Sequence, residues 1–338
     1  SRSGYDFIIA VVEGYRVLAT AKAVVELSSA LEVEAGLDLE RRKSVRYANY
    51  DSLLDQVVAD NNMKGREIDE RSLFAQLSYS RGEFSFVVGS RYTDNELFGD
   101  NVSSRATLVY SITESSSLKL MAGQSYRVPS LFELYFQTPG NTVYGNTMLE
   151  PESNDTFELA WVGSVGDLYW EALAYHAQYD DKIFRVRRYP DFVGDPDDTS
   201  TIYINGEEFS ADGLELGLSY RRPRVGSLFV SYAFVDGDSG DEFGDSDHYN
   251  FKYVSEHSLS AGAARHFGAL WVSGVATYQS SVGAPIEEID SQTTASLNIG
   301  YRHRVSGLMV RHIISDKDVT DDEVEIPEYV RRRLNDVP

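Results

Sequence analysis

SYRVPSLFELYFQTPGNTVYGNTMLEPESNDTFELA, residues 125–160, contains one long connection between two alternating segments. The segment before the connection is 117–125 and the segment after it is 156–165, and both alternate apolar and polar residues as β-strands do. A compact soluble sheet seldom uses so many residues to join two strands. Pro129 and Pro139 stiffen the connection. The stretch therefore predicts two strands linked by a long surface loop with restricted backbone freedom.

Alternation with a period of two recurs along most of the chain. Residues 31–40, LEVEAGLDLE, place apolar side chains on one face and mostly carboxylates on the other. We count about 15 such segments, many of about 9–13 residues, against roughly 5–6 residues for a typical strand in a globular protein. A tilted strand that crosses a membrane needs about 9–11 residues. The sequence therefore predicts an all-β fold, a transmembrane antiparallel β-barrel whose charged face lines a wet lumen.

The connections between these segments alternate in length from residue 31 onward. Short connections fall at 81–83, 113–116, 163–167, 221–226, 266–268 and 304–306, and long ones at 44–70, 93–104, 126–155, 185–202, 236–250, 280–292 and from 315 onward. Outer-membrane barrels have short periplasmic turns and long extracellular loops. The alternation therefore favours such a barrel over a large soluble β-sandwich or propeller, which composition alone leaves equally open.

Composition excludes several classes of protein. Hydrophobic residues make up 42% of the chain, mean hydropathy is −0.32, and no run approaches the ~20 apolar residues of a membrane-spanning helix. The 22 Tyr, 16 Phe and 3 Trp suit the aromatic girdles of a barrel. A net charge of −22 argues against a nucleic-acid partner. The absence of cysteine excludes disulfides, cysteine-bound zinc and a cysteine nucleophile.

Several short motifs occur in order along the chain. They are Tyr126-Arg127-Val128-Pro129-Ser130, Glu133-Leu134-Tyr135 and Gly145-Asn146-Thr147-Met148-Leu149-Glu150-Pro151-Glu152, with shorter echoes at 98–103, 212–216 and 327–332. Together they resemble the barrel signature of the TonB-dependent outer-membrane receptors, and the resemblance covers residues 71–338. Val128 replaces the family's usual small residue, and Thr147 and Met148 depart from its second box.

The resemblance implies the location, partners and mechanism of such a receptor. The barrel would lie in the lipid of the outer membrane of a Gram-negative bacterium and import a scarce small-molecule nutrient through a plug-gated lumen. The energising protein, TonB, would act through a segment of the plug. A ferric siderophore is the family's commonest cargo, and oligosaccharide and cobalamin are alternatives. A passive diffusion barrel or an adhesin-like barrel is a further alternative.

The resemblance also implies that residues 1–338 are a partial barrel domain. Family barrels have about 22 strands and a plugged lumen, so about seven strands, including the last one, and the plug would lie outside this sequence. Remaining barrel segments of the same protein would complete the sheet, because an open edge in lipid leaves backbone groups unpaired. Near the start, segments 5–12 and 15–28 are predicted to be two strands joined by a turn at Glu13-Gly14.

Aromatic and amide side chains concentrate in two of the long loops. Such side chains bind sugars or aromatic siderophores by stacking and hydrogen bonding. The predicted ligand-binding residues are Tyr135, Phe136, Asn141, Tyr144, Asn146, Tyr189, Phe192 and Tyr203. For Tyr135 and Tyr203 the alternative is a place in the interfacial aromatic girdle. Haem receptors of the family carry a His between the two boxes, and its absence from 127–146 argues against haem.

An acidic loop follows the alternating segment at 228–234. Its carboxylates, together with the glycines between them, offer oxygen ligands for Ca²⁺, although their spacing differs from that of an EF-hand. The predicted ligands are Asp236, Asp238, Asp241, Asp245 and Asp247. The alternative is a solvated acidic loop. We predict no cofactor other than this loop Ca²⁺.

An enzyme is not predicted. The sequence has no G-x-S-x-G motif, and its serines and histidines stand alone. Glu158 and Glu215 both face the predicted lumen, where two carboxylates could serve a glycosidase. Charged side chains are ordinary in the lumen of a barrel. Transport without covalent chemistry is therefore the favoured function.

Overall fold

Long antiparallel strands make up most of the fold in this computed structural model. It describes residues 8–51, 56–138, 142–188, 194, 197–206, 208–222, 225–238, 254–282, 289–305 and 308–315. In chain order the elements are Ile8–Ser28 (β1), Leu31–Asp51 (β2), Gln56–Asp60 (β3), Glu67–Arg81 (β4), Phe84–Asn95 (β5), Gly99–Thr113 (β6), Ser116–Arg127 (β7), Leu131–Tyr135 (α1), Val143–Tyr144 (β8), Glu152–Val165 (β9), Leu168–Asp180 (β10), Ile183–Arg187 (β11), Thr201–Asn205 (β12), Phe209–Arg222 (β13), Gly226–Asp238 (β14), His257–Phe267 (β15), Leu270–Gln279 (β16), Gln292–Val305 (β17) and Leu308–Ser315 (β18).

Fifteen of these strands form one sheet. Its order is β1-β2-β4-β5-β6-β7-β9-β10-β13-β14-β15-β16-β17-β18, with β3 added beside β2, and these strands pair antiparallel. Three short strands from the long connections form a second sheet in the order β11-β12-β8. The predicted all-β fold with about 15 strands is confirmed. Among the described residues, no helix is long and apolar enough to cross a membrane.

One face of the large sheet is continuously apolar. Tyr79 pairs with Phe86, Phe86 with Leu108, Leu108 with Leu120 and Leu120 with Leu159. Directly paired residues project from the same face of a sheet, so these side chains form a row across five strands. Tyr79 is half-buried, and the other four side chains of the row are exposed, Leu120 to 55% of its surface. An apolar surface of this extent suits lipid rather than water.

The opposite, polar face carries charged side chains in cross-strand pairs. The ion pairs are Arg16 with Glu40 at 2.6 Å, Lys22 with Glu34 at 3.1 Å and Arg91 with Asp38 at 2.7 Å. Arg105 donates a hydrogen bond to the Gln76 amide oxygen at 2.7 Å on the same face. Glu158 and Glu215, next in sequence to the apolar-face residues Leu159 and Leu216, also project from the polar face. This arrangement agrees with the predicted wet lumen.

The predicted turn at Glu13-Gly14 is wrong. The described residues from Ile8 to Ser28 form one strand of 21 residues that pairs with β2 along its length. The register shifts between Glu13 and Gly14, as in a β-bulge. A Cβ at position 14 would lie 2.9 Å from the Lys43 carbonyl oxygen, so glycine permits the close approach of the two strands.

The predicted long loop at 93–104 is also shorter than expected. β5 extends to Asn95 and β6 begins at Gly99, so three residues connect them. Gly99 has a φ of 74°, a conformation that glycine adopts without steric cost. The polar residues at 99–104 therefore belong to the strand and not to a loop, because strands of this sheet continue well beyond the span that lipid requires.

Candidate ligand-binding loop assembly

The connection between β7 and β9 contains a short capped helix. The Ser130 hydroxyl accepts a hydrogen bond from the Glu133 backbone N–H at 3.2 Å. The Glu133 carboxylate in turn accepts one from the Ser130 backbone N–H at 2.7 Å. This reciprocal pair is a capping box, which satisfies two backbone donors at the start of α1. The motif Ser130-Leu131-Phe132-Glu133 thus fixes how the chain leaves the end of β7.

Arg127, the last residue of β7, links this helix to the next strand of the sheet. Its Nε donates to Glu152 of β9 at 2.5 Å. Its two terminal nitrogens donate to the Glu133 carboxylate at 2.9 Å and 3.2 Å. Burial alone would raise the pKa of Glu133, but the hydrogen bonds from Arg127 and Ser130 outweigh it and hold that pKa below 4.5. The hydrogen bond to Glu152 is the main cause that raises the pKa of Arg127.

A second set of contacts ties this connection to the one between β10 and β13. The Asn205 side chain accepts from the Glu150 N–H at 2.8 Å and donates to the Glu150 carbonyl at 2.9 Å. The Asn146 amide donates to the Tyr203 carbonyl at 2.9 Å. The remaining oxygen of Glu152 accepts from the Ile183 N–H at 2.6 Å. Side-chain amides therefore act as cross-links between the two loops.

Apolar packing joins the same segments. The buried side chains of Ile68, Leu134, Leu149 and Ile183 form one cluster, against which Phe98, Leu131, Tyr135 and Tyr203 pack. Ile68 pairs in register with Arg42 of β2. Arg42 lies two residues after Glu40 and therefore on the same, polar face, so Ile68 also projects from that face. We refer to α1, β8, residues 145–151, β11 and β12 as the loop assembly. It packs against the polar face at the end of the sheet where the long connections lie.

The described ligand-binding candidates take part in packing within the loop assembly. Phe136 is buried and stacks on Phe132 with ring centroids 4.0 Å apart, and Asn146 and Tyr203 make the contacts given above. Tyr135 belongs to the apolar cluster. Tyr144 carries the Arg188 guanidinium 4.2 Å above its ring centroid. Asn141, Tyr189 and Phe192 lie outside the described residues, and the ligand contacts of the whole set stay a prediction.

The predicted Ca²⁺ ligands fall mostly outside the described part of the chain. Asp236 is exposed near the end of β14, and the backbone of Asp238 completes that strand. Asp241, Asp245 and Asp247 are among the residues that the structure does not describe. Within the described ranges, no three His, Asp or Glu side chains come close enough to hold a metal ion. The Ca²⁺ site stays a prediction.

Two cation–ring contacts were not predicted from the sequence. Arg66 lies 4.2 Å from the ring centroid of Tyr135, and Arg188 lies over Tyr144 as described. Arg66 and Arg188 come from connections far from their partners in sequence, so no local pattern marks them. The capping box was present in the sequence as Ser130 followed three residues later by Glu133, and it could have predicted α1.

A sheet with one apolar face, one charged face, short turns at one end and packed loops at the other defines the class of membrane β-barrels. Residues 13–311 match the family model described as "TonB dependent receptor-like, beta-barrel". The chain belongs to the TonB-dependent receptor family, whose barrels reside in the outer membrane of Gram-negative bacteria. This is a family of receptors and transporters and not of enzymes.

Curated relatives and solved structures agree with this placement. Vitamin B12 transporter BtuB of Photobacterium profundum is 25% identical over 172 residues, which cover 50% of this chain and 26% of that protein. BtuB of Vibrio cholerae serotype O1 is 25% identical over 142 residues, which cover 41% of this chain and 21% of that protein. The chain thus spans about a quarter of the length of these relatives.

The solved structures show the same fold at low sequence identity. Copper transporter OprC superposes with a TM-score of 0.65 at 15% identity, covering 87% of this chain and 50% of that one. Siderophore receptor PirA from Acinetobacter baumannii gives a TM-score of 0.63 at 15% identity, covering 86% and 48%. Hemophore receptor HasR of Serratia marcescens gives 0.63 at 14% identity, covering 88% and 55%. The predicted antiparallel transmembrane barrel is confirmed.

Proposed function

We propose that the chain forms part of the barrel wall of an active importer in the outer membrane of a Gram-negative bacterium. The observation that carries this proposal is the loop assembly, a cross-linked body at one end of a polar-faced sheet. A nutrient would bind at that end and pass along the polar face. The energy would come from TonB, acting through a plug segment of the same protein. The chain's own residues would bind and guide the nutrient without covalent chemistry.

A ferric siderophore is the cargo that we favour. Support comes from neighbours described as siderophore receptors, PirA from Acinetobacter baumannii and PirA from Pseudomonas aeruginosa. The aromatic and amide side chains predicted from the two long loops, Tyr144 among them, suit stacking on a chelate. HasR is described in complex with a hemophore and heme, but no His occurs in this chain between Arg127 and Asn146.

Cobalamin is the second candidate. The curated relatives at 25% identity are vitamin B12 transporters, and their match covers 41–50% of this chain. The matched part includes a barrel common to the whole family, so this likeness supports cobalamin less strongly than it supports the family.

Growth of a host that lacks its own receptors tests the proposal. Cells that express the full-length receptor should grow under iron limitation on one or more ferric siderophores, and growth should stop when TonB is removed. Growth that depends on cobalamin alone would replace the siderophore by the second candidate. Uptake that continues without TonB would overturn active import and favour a passive barrel.

A further inference from the structure

A cavity of about 500 Å³ opens on the polar face at the loop end of β10 and β13–β17. It is separate from the loop assembly and contains none of the predicted ligand-binding residues. Cavities of roughly 300–1,000 Å³ are the usual size for small-molecule sites. Its polar lining includes Tyr175, Glu215, Ser258, Gln279, Asp290 and Gln292. Hydroxyl, amide and carboxylate groups of neighbouring strands thus converge on one space.

The charged side chains in the described lining of this cavity are all negative. Glu215 and Asp290 are its ionisable carboxylates, and the lining described by the structure contains no Lys or Arg. Glu215 pairs in register with Leu173 and Ala233, so its immediate cross-strand neighbours are apolar. The arginines of the nearby strands occupy positions toward the short turns at the opposite end: Arg221 and Arg222 of β13, Arg265 of β15, and Arg302 and Arg304 of β17. Within the described residues, the cavity lining is therefore negative and holds no compensating cation.

On the part of the polar face formed by β1–β5, by contrast, carboxylates are paired with cations. There Glu34 and Glu40 of β2 bind Lys22 and Arg16 of the adjacent β1, and Asp38 binds Arg91 of β5, across the intervening β4. Glu215 makes no hydrogen bond or ion pair with any described residue. An uncompensated carboxylate in a concave surface attracts positive charge and repels anions.

Tyr175 is held flat against the wall of the cavity. Its ring covers Gly213 of the adjacent strand, where an added Cβ would lie 2.0 Å from the ring carbon that carries the hydroxyl. Any side chain at position 213 would therefore push the ring toward the cavity. The glycine keeps this space open beside Glu215.

We propose that this cavity binds a positively charged chelate or amine, with Glu215 as the residue that selects its charge. The proposal rests on the proposed siderophore import and narrows its cargo to ferric hydroxamates that carry a free ammonium group. Ferric catecholates, which carry several negative charges, are disfavoured. The hydroxyl and amide groups of Ser258, Gln279 and Gln292 would hydrogen-bond to the chelate, and Glu215 would bind its ammonium.

Binding of two ferric chelates to the purified full-length receptor tests the charge selection. Ferrioxamine B, which carries a free ammonium, should bind more tightly than ferric enterobactin, which is anionic. Glu215→Gln should weaken the binding of ferrioxamine B by about tenfold, the effect of one charge-assisted hydrogen bond. The matched control is Glu158→Gln, a carboxylate of the same polar face outside the cavity lining, which should change the affinity by less than about twofold.

Three results would overturn the assignment while leaving iron import intact: preference for the anionic chelate, no effect of Glu215→Gln, or an equal effect of Glu158→Gln. Binding of neither chelate would overturn the iron proposal together with this one.

A second variant tests the shape of the cavity. Gly213→Ala should weaken ferrioxamine B binding in a receptor that still migrates as a folded barrel, and unchanged affinity in that variant would place the chelate elsewhere.

Discussion

At the residue scale, Arg127 joins three separated sequence motifs in the fold. The motif at 126–130 supplies Arg127 and Ser130, the motif at 133–135 supplies Glu133, and the motif at 145–152 ends at Glu152. One guanidinium satisfies both carboxylates, and Glu133 also caps α1. An arginine suits this position because its planar group presents several donors at fixed angles. The three motifs therefore form one hydrogen-bonded unit in the fold.

Replacement of Arg127 tests this unit. Arg127→Ala should destabilise the loop assembly by about 1–3 kcal/mol, less than the roughly 3–5 kcal/mol of a fully buried pair, because the Arg127 side chain is 45% exposed. Limited proteolysis of the folded receptor should then cut between residues 128 and 151. Arg41→Ala, which removes an exposed pair with Asp69, is the control and should leave the cleavage pattern unchanged. Equal protection of both variants would show that Arg127 does not hold the loop.

The pH dependence of the loop follows from Glu133. Its pKa in the folded protein lies below the ordinary 4.5, so its contribution to stability is complete above pH 4.5 and is lost as pH falls through the lower, folded pKa. Hydrogen exchange of the α1 amides, corrected for intrinsic rates, should accelerate between about pH 5 and pH 3. Glu133→Gln should flatten this dependence. An identical acid response in the variant would assign it to other carboxylates.

At the element scale, the two-residue alternation of apolar and polar side chains predicted the strands well and the loops poorly. Segments such as 31–40 alternate strictly, and burial of one face in lipid fixes their register. The helix α1 has a local signal, the capping box of Ser130 and Glu133, but β8, β11 and β12 depend on Asn146 and Asn205, whose partners are distant in sequence. Gly14 suggested a turn in the sequence. In the fold it instead permits a β-bulge where the Lys43 carbonyl of the neighbouring strand approaches closely. Local patterns cannot reveal such tertiary contacts.

Gly145 provides a test at this scale. A Cβ at position 145 would lie 2.7 Å from the Leu134 carbonyl carbon and 2.7 Å from the Tyr135 nitrogen, both backbone atoms of α1. Gly145→Ala should therefore separate β8 from α1 and increase proteolysis of the loop assembly. Gly123→Ala is the matched control, because its nearest neighbour, the Arg105 Cβ, would be 4.0 Å away. A loop that tolerates both changes equally would contradict the described packing.

At the scale of the whole molecule, two opposite faces account for both the composition and the fold. The apolar face supplies much of the 42% hydrophobic content and many of the aromatics, and the polar face holds paired charges along β1–β5. Mean hydropathy therefore stays at −0.32 in a membrane barrel. The sequence predicted this arrangement because a period of two is kept in most of the long strands. It did not predict the cavity beside Glu215, which exists only where six strands meet.

Accessibility along β9 tests the central claim that this sheet separates lipid from water. The chain has no cysteine, so single cysteines at positions 156–161 of the full-length receptor can each carry a spin label in a bilayer. Labels at 157, 159 and 161 should collide mainly with oxygen dissolved in lipid, and labels at 156, 158 and 160 mainly with a water-soluble nickel chelate. Equal access of the nickel chelate to all six positions would contradict the account.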